Sequence, residues 1–167
     1  MPKKKSDAER LREWGITNPN IRKKHLRYQT PFEKGVYWYW FSLDVRQRDV
    51  ETYGVCISCG NPITVDTSDA GHFCPASNCG RDLLFDPRNV NAECGRCNAF
   101  DEGHLFGYER RLDERYGPGT AQELKDRYQA YRESKTPLKD WKASEYADKI
   151  RSLKSYQQWE QQNAEHK

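Results

Sequence analysis

The sequence lacks any long apolar run, and no stretch approaches the ~18 uninterrupted apolar residues that a transmembrane helix requires. Its first residues, Met-Pro-Lys-Lys-Lys, are followed by no apolar segment, which argues against a secretory signal. We therefore expect a cytoplasmic protein whose cysteine thiols stay reduced. In that setting the six cysteines are expected to bind metal rather than to form disulfides.

The sequence is also poor in apolar residues, since 35% of it is hydrophobic, 32% is charged and its mean hydropathy is −1.10. A chain of 167 residues has room for one compact domain with extensions, but not for two large cores. The small apolar fraction predicts a small core, with much of the chain in exposed helices or arms.

The net charge of +3 is unevenly distributed. Residues 1–30 hold nine Lys/Arg against three Asp/Glu, a balance of +6, which leaves −3 for the remainder. A basic N-terminal arm is common in nucleic-acid binders because phosphate contacts release counterions, although a solvated tail has the same composition. The basic residues that we expect at a nucleic-acid interface are Lys3, Lys4, Lys5, Arg22, Lys23, Lys24 and Arg27.

Composition divides the chain into a basic arm at 1–30, a core at 31–117 that holds all six cysteines, and an extension at 118–167. A short helix is expected at 8–14, before a glycine and an Asn-Pro-Asn turn. The aromatic segment 36–49 fits a helical stripe, and it would equally suit a strand.

The C-terminal extension is expected to be helical. A Gly-Pro-Gly breaker precedes a helix at 120–132, and Thr136-Pro137 predicts the start of a long polar helix from 138 to about 163. The apolar stripe of this second helix could dock on the core or on a second copy of the chain, so a homodimer is one expectation. The stripe consists of Leu138, Trp141, Tyr146, Ile150, Leu153 and Tyr156.

Two Cys-x-x-Cys knuckles, Cys56/Cys59 and Cys94/Cys97, are separated by 34 residues. Each knuckle supplies two thiolates to one ion, and two knuckles complete a closed tetrahedral site of the kind that holds structural zinc. Such an ion contributes folding free energy to a chain with few aliphatic residues.

The remaining pair, Cys74 and Cys79, has four residues between its two cysteines. This spacing is compatible with a second metal site or with replacement of one knuckle. Two unliganded thiols are the more common outcome, and we expect them here.

Between the knuckles lies the segment Asp69-Ala-Gly-His72-Phe, and Asn98 follows the second knuckle directly. On a helix that begins near the knuckle, Asp101 and Glu102 share a face with Asn98. A strand that carries His72 against this face would bring an imidazole close to an amide and two carboxylates. Phosphodiester hydrolysis uses such a set, because the imidazole deprotonates water and oxygen ligands hold a divalent cation.

The pattern resembles the HNH nuclease motif in the order and spacing of His72, Asn89 and Asn98. Over residues 36–125 it more narrowly resembles the phage lambda NinG/Rap recombination family. The segments that carry this resemblance are Asp69-Ala-Gly-His-Phe, Phe85-Asp-Pro-Arg-Asn-Val-Asn-Ala-Glu-Cys, Cys97-Asn, Val45-Arg-Gln-Arg-Asp and Leu112 with Arg115-Tyr-Gly. The Cys-x-x-Cys-Asn junction is also similar to that of endonuclease VII, a phage junction resolvase.

The resemblance implies a role for each matching residue. His72 would be the general base, Asn89 would fix the strand or orient the His72 ring, and Asn98 would be a ligand of the catalytic metal. Many HNH sites have an aspartate immediately before the base, but this chain has Gly71 there. The catalytic metal candidates are therefore Asp69, Asn98, Asp101, Glu102 and His104.

The resemblance also implies the fold and the activity. We expect an α+β protein with a small ββα-metal (HNH, His-Me finger) core and a zinc site of four cysteines, flanked by helices. Its expected function is Mg²⁺- or Mn²⁺-dependent cleavage of DNA, mainly of branched recombination intermediates, in the cytoplasm of a bacterial host. The alternatives are a non-catalytic zinc-ribbon module that binds DNA during recombination, and a site-specific HNH enzyme of homing or restriction type.

Overall fold

The computed structural model describes four ranges of the chain, which are 5–17, 31–100, 105–134 and 139–164. The chain forms two compact units. One unit combines 1–41 with 141–167, and the other spans 42–140. These bounds differ from the division at residues 30 and 117 that composition suggested. None of the described helices is long and apolar enough to cross a membrane.

In the unit that contains both termini, helix α1 (Asp7–Glu13) begins at a capping box, in which Ser6 and Glu9 bond each other's backbone amides. The helix predicted at 8–14 is thereby confirmed. Leu11 and Ile16 are buried, with 1% and 2% of their surfaces exposed. Residues 5–17 are therefore a folded element within the segment that composition set apart as a basic arm.

Helix α2 (Phe32–Thr52) contains the whole aromatic segment 36–49, which the sequence allowed to be either a helix or a strand. The predicted stripe of Val36, Tyr37, Trp40, Phe41 and Val45 is buried. The boundary between the two units falls within this helix. The rings of Tyr37, Trp40 and Phe41 are therefore core packing rather than exposed surfaces for base stacking.

The prediction of a single long C-terminal helix is wrong. The structure has α7 (Ala143–Ser152) and α8 (Lys154–Ala164), because Leu153 adopts an extended backbone with ψ of 135° between them. Residues 139–142 are not helical, and Leu138 lies outside the described residues.

Three residues of the predicted apolar stripe, Tyr146, Ile150 and Tyr156, are buried in this unit. The ring of Tyr146 lies 5.8 Å from that of Tyr37, and the ring of Tyr156 lies 5.4 Å from that of Trp40. The surface on which the homodimer expectation depended is thus used inside the chain, and the homodimer stays a prediction without that support.

The second unit contains helices α5 (Leu105–Tyr116) and α6 (Thr120–Glu133), which confirms the helix predicted at 120–132. The turn between them has positive φ at Gly117 and Gly119, a conformation that favours glycine. The two helices enclose a core cluster whose members are Ile57, Phe73, Cys74, Leu83, Tyr108, Leu112, Ala121 and Leu124.

A two-stranded antiparallel sheet lies in the same unit. Strand β1 (Ser68–His72) pairs with β2 (Val90–Cys94), so that Ser68 is opposite Cys94 and His72 is opposite Val90. The connection between the strands contains a 3-10 turn at Ala76–Asn78 and the short helix α3 (Arg81–Leu84).

Helix α4 (Gly95–Phe100) follows β2 without a loop and packs against both strands. The architecture in the described residues is therefore helix-rich and mixed, with one small sheet, and it agrees with the α+β class. Strand β2 and helix α4 carry the two cysteines of the second knuckle, and β1 pairs with β2 at this point.

Candidate functional site

The four knuckle cysteines come together as the spacing predicted. The Sγ atoms of Cys56, Cys59, Cys94 and Cys97 all lie within 4.8 Å of one another. Cys94 also donates its backbone amide to the Sγ of Cys56 at 3.3 Å. Four cysteine sulfurs in this arrangement can hold a tetrahedral structural metal such as zinc.

Electrostatics inside the cluster also favour a cation. Burial raises the pKa of Cys56, and burial together with the neighbouring Cys94 thiol raises the pKa of Cys97. Burial also opposes ionisation of Cys94, but hydrogen bonds from Cys97 and the other knuckle thiols outweigh it and lower the pKa of Cys94. Neighbouring thiolates this close repel one another, so few of the thiols ionise without a cation. A divalent cation that replaces their protons neutralises the negative charge and stabilises the thiolates.

The first knuckle is held from helix α5. Arg111 Nη1 donates to the carbonyl oxygen of Ile57 at 3.1 Å and to that of Ser58 at 2.7 Å. A Cβ built on Gly107 would overlap the Ser58 carbonyl, so a side chain at that position would push helix and knuckle apart.

Cys74 and Cys79 lie apart from the cluster. The Cys74 thiol donates to the Leu124 carbonyl at 3.5 Å, and burial raises the pKa of Cys74 to about 11. The Cys79 thiol donates to the Ala76 carbonyl at 3.6 Å. Within the described residues, neither cysteine belongs to a group of three or more side chains that could hold a metal.

The candidate base, His72, is the last residue of β1 and is half-buried. Its Nε2 lies 3.0 Å from the carbonyl oxygen of Leu84, so the Nε2–H tautomer donates there and Nδ1 is the ring's acceptor atom. Burial lowers the pKa of His72, and the hydrogen bond to Leu84 only partly offsets this effect. The imidazole is therefore neutral at pH 7, the state in which it accepts a proton.

Asn89 is fully buried and fixes the connection between the two strands. Its Oδ1 accepts from the Cys74 amide at 2.8 Å, and its Nδ2 donates to the Leu83 carbonyl at 2.9 Å. Leu83 is followed in the chain by Leu84, whose carbonyl orients the His72 ring. Asn89 thus bonds the backbone that positions the ring.

Asn98 lies in α4, exposed, and its side chain reaches β1. A Cβ built on Gly71 would lie 3.0 Å from Asn98 Oδ1 and would overlap Glu93 Oε2. The amide oxygen and the carboxylate oxygen therefore meet beside the residue that precedes His72. Only a glycine at position 71 leaves room for them.

Glu93 was absent from the predicted site, although it is the residue directly before the second knuckle. Only 6% of its surface is exposed, and Ser58 Oγ donates to its Oε1. The pairing of Asp69 with Glu93 and of Gly71 with Asn91 puts these residues on one face of the sheet. Alternation along β2 was the only signal in the sequence that could have identified Glu93.

Of the predicted metal candidates, Asp69 is exposed on β1, and its Oδ2 lies 3.6 Å from a Cβ built on Gly95. Asp101, Glu102 and His104 lie outside the described residues. Among the predicted nucleic-acid contacts, Lys5 is exposed and forms an ion pair with Glu13. The others, Lys3, Lys4, Arg22, Lys23, Lys24 and Arg27, lie outside the described residues.

Two sequence segments that carried the resemblance meet on β2. Tyr116 donates from its hydroxyl to Asn91 Oδ1 at 2.9 Å, and Arg48 Nη2 donates to the same oxygen at 3.2 Å. Tyr108 donates from its hydroxyl to the Gly71 carbonyl at 2.9 Å. These bonds hold the sheet in place from α2 and α5.

The fold and the site define a class of cysteine-cluster protein in which a small antiparallel hairpin runs directly into a helix at the cluster. Within that class, the chain belongs to the family described as the bacteriophage lambda NinG protein, whose family model matches residues 3–157. The structural metal expected at the four cysteines is consistent with the cluster that was found.

Curated relatives include Protein ninG of Salmonella phage P22, 34% identical over 110 residues, which are 66% of this chain and 52% of that protein. Protein ninG of Escherichia phage lambda is 32% identical over 111 residues, with the same coverage of 66% and 52%. The chain thus spans about half the length of the curated relatives it matches. No solved structure matches it significantly.

Proposed function

We propose that this chain is a metal-dependent DNA endonuclease of the HNH type that cleaves branched DNA during phage recombination. One observation carries the proposal. A neutral imidazole at the end of β1 is oriented by a backbone carbonyl, and the side-chain oxygens of Asn98 and Glu93 converge beside the adjacent Gly71. The core would then be a ββα-metal unit formed by β1, β2 and α4.

In this proposal His72 is the general base. Its Nε2–H donates to Leu84 and keeps the ring from rotating, so that Nδ1 takes the proton of the attacking water. Its lowered pKa keeps the ring unprotonated at neutral pH. Asn89 acts through the backbone as a positioning residue.

The catalytic cation is Mg²⁺ or Mn²⁺, and Asn98 is one of the residues that would hold it. Oxygen ligands suit both ions. When bound, the cation neutralises charge on the scissile phosphate and on the leaving oxygen. The structural metal has a separate role at the four cysteines, because Cys94 ends β2 and Cys97 lies in the first turn of α4. When bound, the structural metal would connect α4 to the sheet at the site.

Branched DNA is the proposed substrate because the chain belongs to the bacteriophage lambda NinG family, and the resemblance to the NinG/Rap recombination family implies that it acts on recombination intermediates. The basic residues of the N-terminal segment would contact phosphates, which position a protein on DNA without reading sequence.

The test is a cleavage assay on the zinc-loaded 167-residue chain with end-labelled linear, forked and four-way DNA, with and without Mg²⁺ or Mn²⁺. Cleavage that requires the cation and prefers branched DNA is expected. His72→Ala is expected to reduce the single-turnover rate by about 10²–10⁴-fold while it retains DNA binding. His166→Ala, which removes a histidine from the C-terminal end, is the matched control.

Undiminished cleavage by His72→Ala would overturn the assignment of the base. Tight binding to branched DNA with no cleavage under any divalent cation would replace the endonuclease by a non-catalytic DNA-binding module. Cleavage of one linear sequence in preference to forks would instead favour an enzyme of homing or restriction type.

A further inference from the structure

The Glu93 carboxylate is buried in the sheet at the strand end nearest the cysteine cluster. With 6% of the residue exposed, a carboxylate at this position loses most of its hydration, which costs free energy unless hydrogen bonds or a cation offset it. Ser58 Oγ supplies a hydrogen bond to Oε1. The position of Oε2 is then set, and it lies against the backbone of Gly71.

Gly71 forms a cradle for two oxygens that come from different elements. Glu93 Oε2 comes from β2 and occupies the volume that any Cβ at position 71 would need. Asn98 Oδ1 comes from α4 and lies 3.0 Å from the same point. Residue 71 immediately precedes His72 in β1, so both oxygens lie against the backbone of the residue next to the proposed base.

We propose that Glu93 Oε2 and Asn98 Oδ1 are ligands of the divalent cation, and that Ser58 is a positioning residue for Glu93. This inference rests on the proposed endonuclease function. A carboxylate and an amide oxygen are donors that Mg²⁺ and Mn²⁺ accept, and Mg²⁺ sites in proteins commonly have one or two carboxylates and several waters. The buried Glu93 therefore replaces the exposed Asp69 as the acidic ligand.

The role of Ser58 connects the two metal sites. Ser58 lies inside the first knuckle, between Cys56 and Cys59, and only 3% of its surface is exposed. The structural metal fixes the knuckle, the knuckle fixes the Ser58 hydroxyl, and that hydroxyl fixes the Glu93 carboxylate. Loss of the Ser58 hydroxyl is therefore expected to weaken the catalytic cation site without emptying the cysteine cluster.

The test measures Mn²⁺ affinity by electron paramagnetic resonance on the zinc-loaded 167-residue chain without DNA. Ser58→Ala is expected to weaken Mn²⁺ binding by about 10–100-fold, as loss of an outer partner of a metal ligand usually does. Ser58→Thr, which keeps the hydroxyl, is expected to restore binding. Glu93→Gln is expected to weaken binding at least as much as Ser58→Ala, with unchanged zinc content and circular dichroism.

Asp69→Asn is the matched control, because Asp69 is the directly paired residue on β1 and its carboxylate is exposed. It is expected to leave Mn²⁺ affinity within a factor of about two of the wild type. A loss as large as that of Glu93→Gln would transfer the ligand role to Asp69 and overturn the proposal.

A second variant keeps the proposal testable if Glu93→Gln fails to fold. In Glu93→Ala the cradle is emptied, and adding Gly71→Asp would return a carboxylate to the same space from the opposite strand. The φ of Gly71 is not positive, so aspartate meets no backbone strain there. The double variant is expected to bind Mn²⁺ more tightly than Glu93→Ala alone.

The outcomes separate this inference from the function on which it rests. Unchanged Mn²⁺ affinity in Glu93→Gln, with cation-dependent cleavage by the wild type, overturns only the Glu93 assignment. Wild-type protein that neither binds Mn²⁺ nor cleaves DNA overturns the assignment and the endonuclease proposal together. A double variant that binds no better than Glu93→Ala also counts against the cradle.

Discussion

The guanidinium of Arg115 lies 3.3 Å from the carboxylate of Asp49, and only 4% and 0% of these side chains are exposed. Arg48 Nε donates to the other oxygen of Asp49 at 2.7 Å, and the Ala92 amide donates to Asp49 Oδ2 at 2.7 Å. One buried carboxylate therefore joins the end of α2, the end of α5 and the centre of β2. The sheet that carries His72 depends on this network.

Asp49→Asn is expected to destabilise the protein by about 3–5 kcal/mol, because it leaves the buried Arg115 without its countercharge. Urea unfolding followed by circular dichroism measures the change. Glu109→Gln is the control, since it breaks the exposed ion pair with Lys125 and is expected to cost about 1 kcal/mol or less. Equal effects of the two substitutions would show that Asp49 does not organise the network.

The cysteine cluster is expected to hold one zinc ion per chain. Cys97→Ser should lose the zinc and most of the folded structure, because an ion held by the four cysteines would join β2, α4 and the first knuckle. Elemental analysis and circular dichroism before and after a chelator provide the measurement. Cys74→Ser is the control and should keep its zinc. A folded protein that contains no metal would contradict the prediction, and two zinc ions would add Cys74 and Cys79 as ligands.

The pH dependence of cleavage follows from the lowered pKa of His72. A general base acts while it is neutral, so the rate is expected to be constant at neutral pH and to fall as pH drops through the pKa of His72. The midpoint of the acid limb should lie below about 6.5, the ordinary value for histidine. Single-turnover rates from pH 4.5 to 8 at saturating cation, together with nuclear magnetic resonance titration of the His72 ring, test this. A midpoint above 6.5 would contradict it.

The N-terminal basic residues are expected to contribute phosphate contacts. Because 5–17 is folded, substitution is a cleaner test than deletion of the segment. Replacing Arg22, Lys23 and Lys24 together by Gln should weaken binding to all DNA forms and flatten the slope of log affinity against log salt by about 0.9 per lost contact. Fluorescence anisotropy at several salt concentrations measures the slope.

The control for that experiment replaces Lys142, Lys149 and Lys154 by Gln, which removes the same charge from the segment 142–154. It is expected to leave the slope nearly unchanged. Equal slopes for the two triple variants would mean that the N-terminal basic residues make no phosphate contacts and only contribute to solubility.

Features that depend on near neighbours in the chain were predictable from the sequence. The knuckle spacing brings two thiolates together locally, and it correctly indicated a four-cysteine cluster. The glycine and the Asn-Pro-Asn turn that follow residue 14 indicated the end of α1, and the Gly-Pro-Gly breaker indicated the start of α6. The position of Asn98, directly after the second knuckle, already indicated that it lies on a helix that begins near the knuckle.

Other features required contacts between segments far apart in the chain. The aromatic run fits a helix or a strand equally well, and burial of one helical face decided for α2. The helical period continues through Leu153, yet packing of Tyr146 and Tyr156 on their own unit accompanies a break there. Periodicity cannot show such a break, because it reports amphipathic character and not the direction of the chain.

Glu93, which the sequence pattern did not indicate, shows most directly the difference between local features and features that need long-range contacts. Glu93 looks like an ordinary strand residue until β2 pairs with β1, and a shift of one residue in that pairing would turn its side chain to the other face. The register, the bare backbone of Gly71 and the hydroxyl of Ser58 together direct its carboxylate to Asn98. Local spacing determined which residues could bind metal, whereas strand register and helix docking decided which oxygens converge at Gly71.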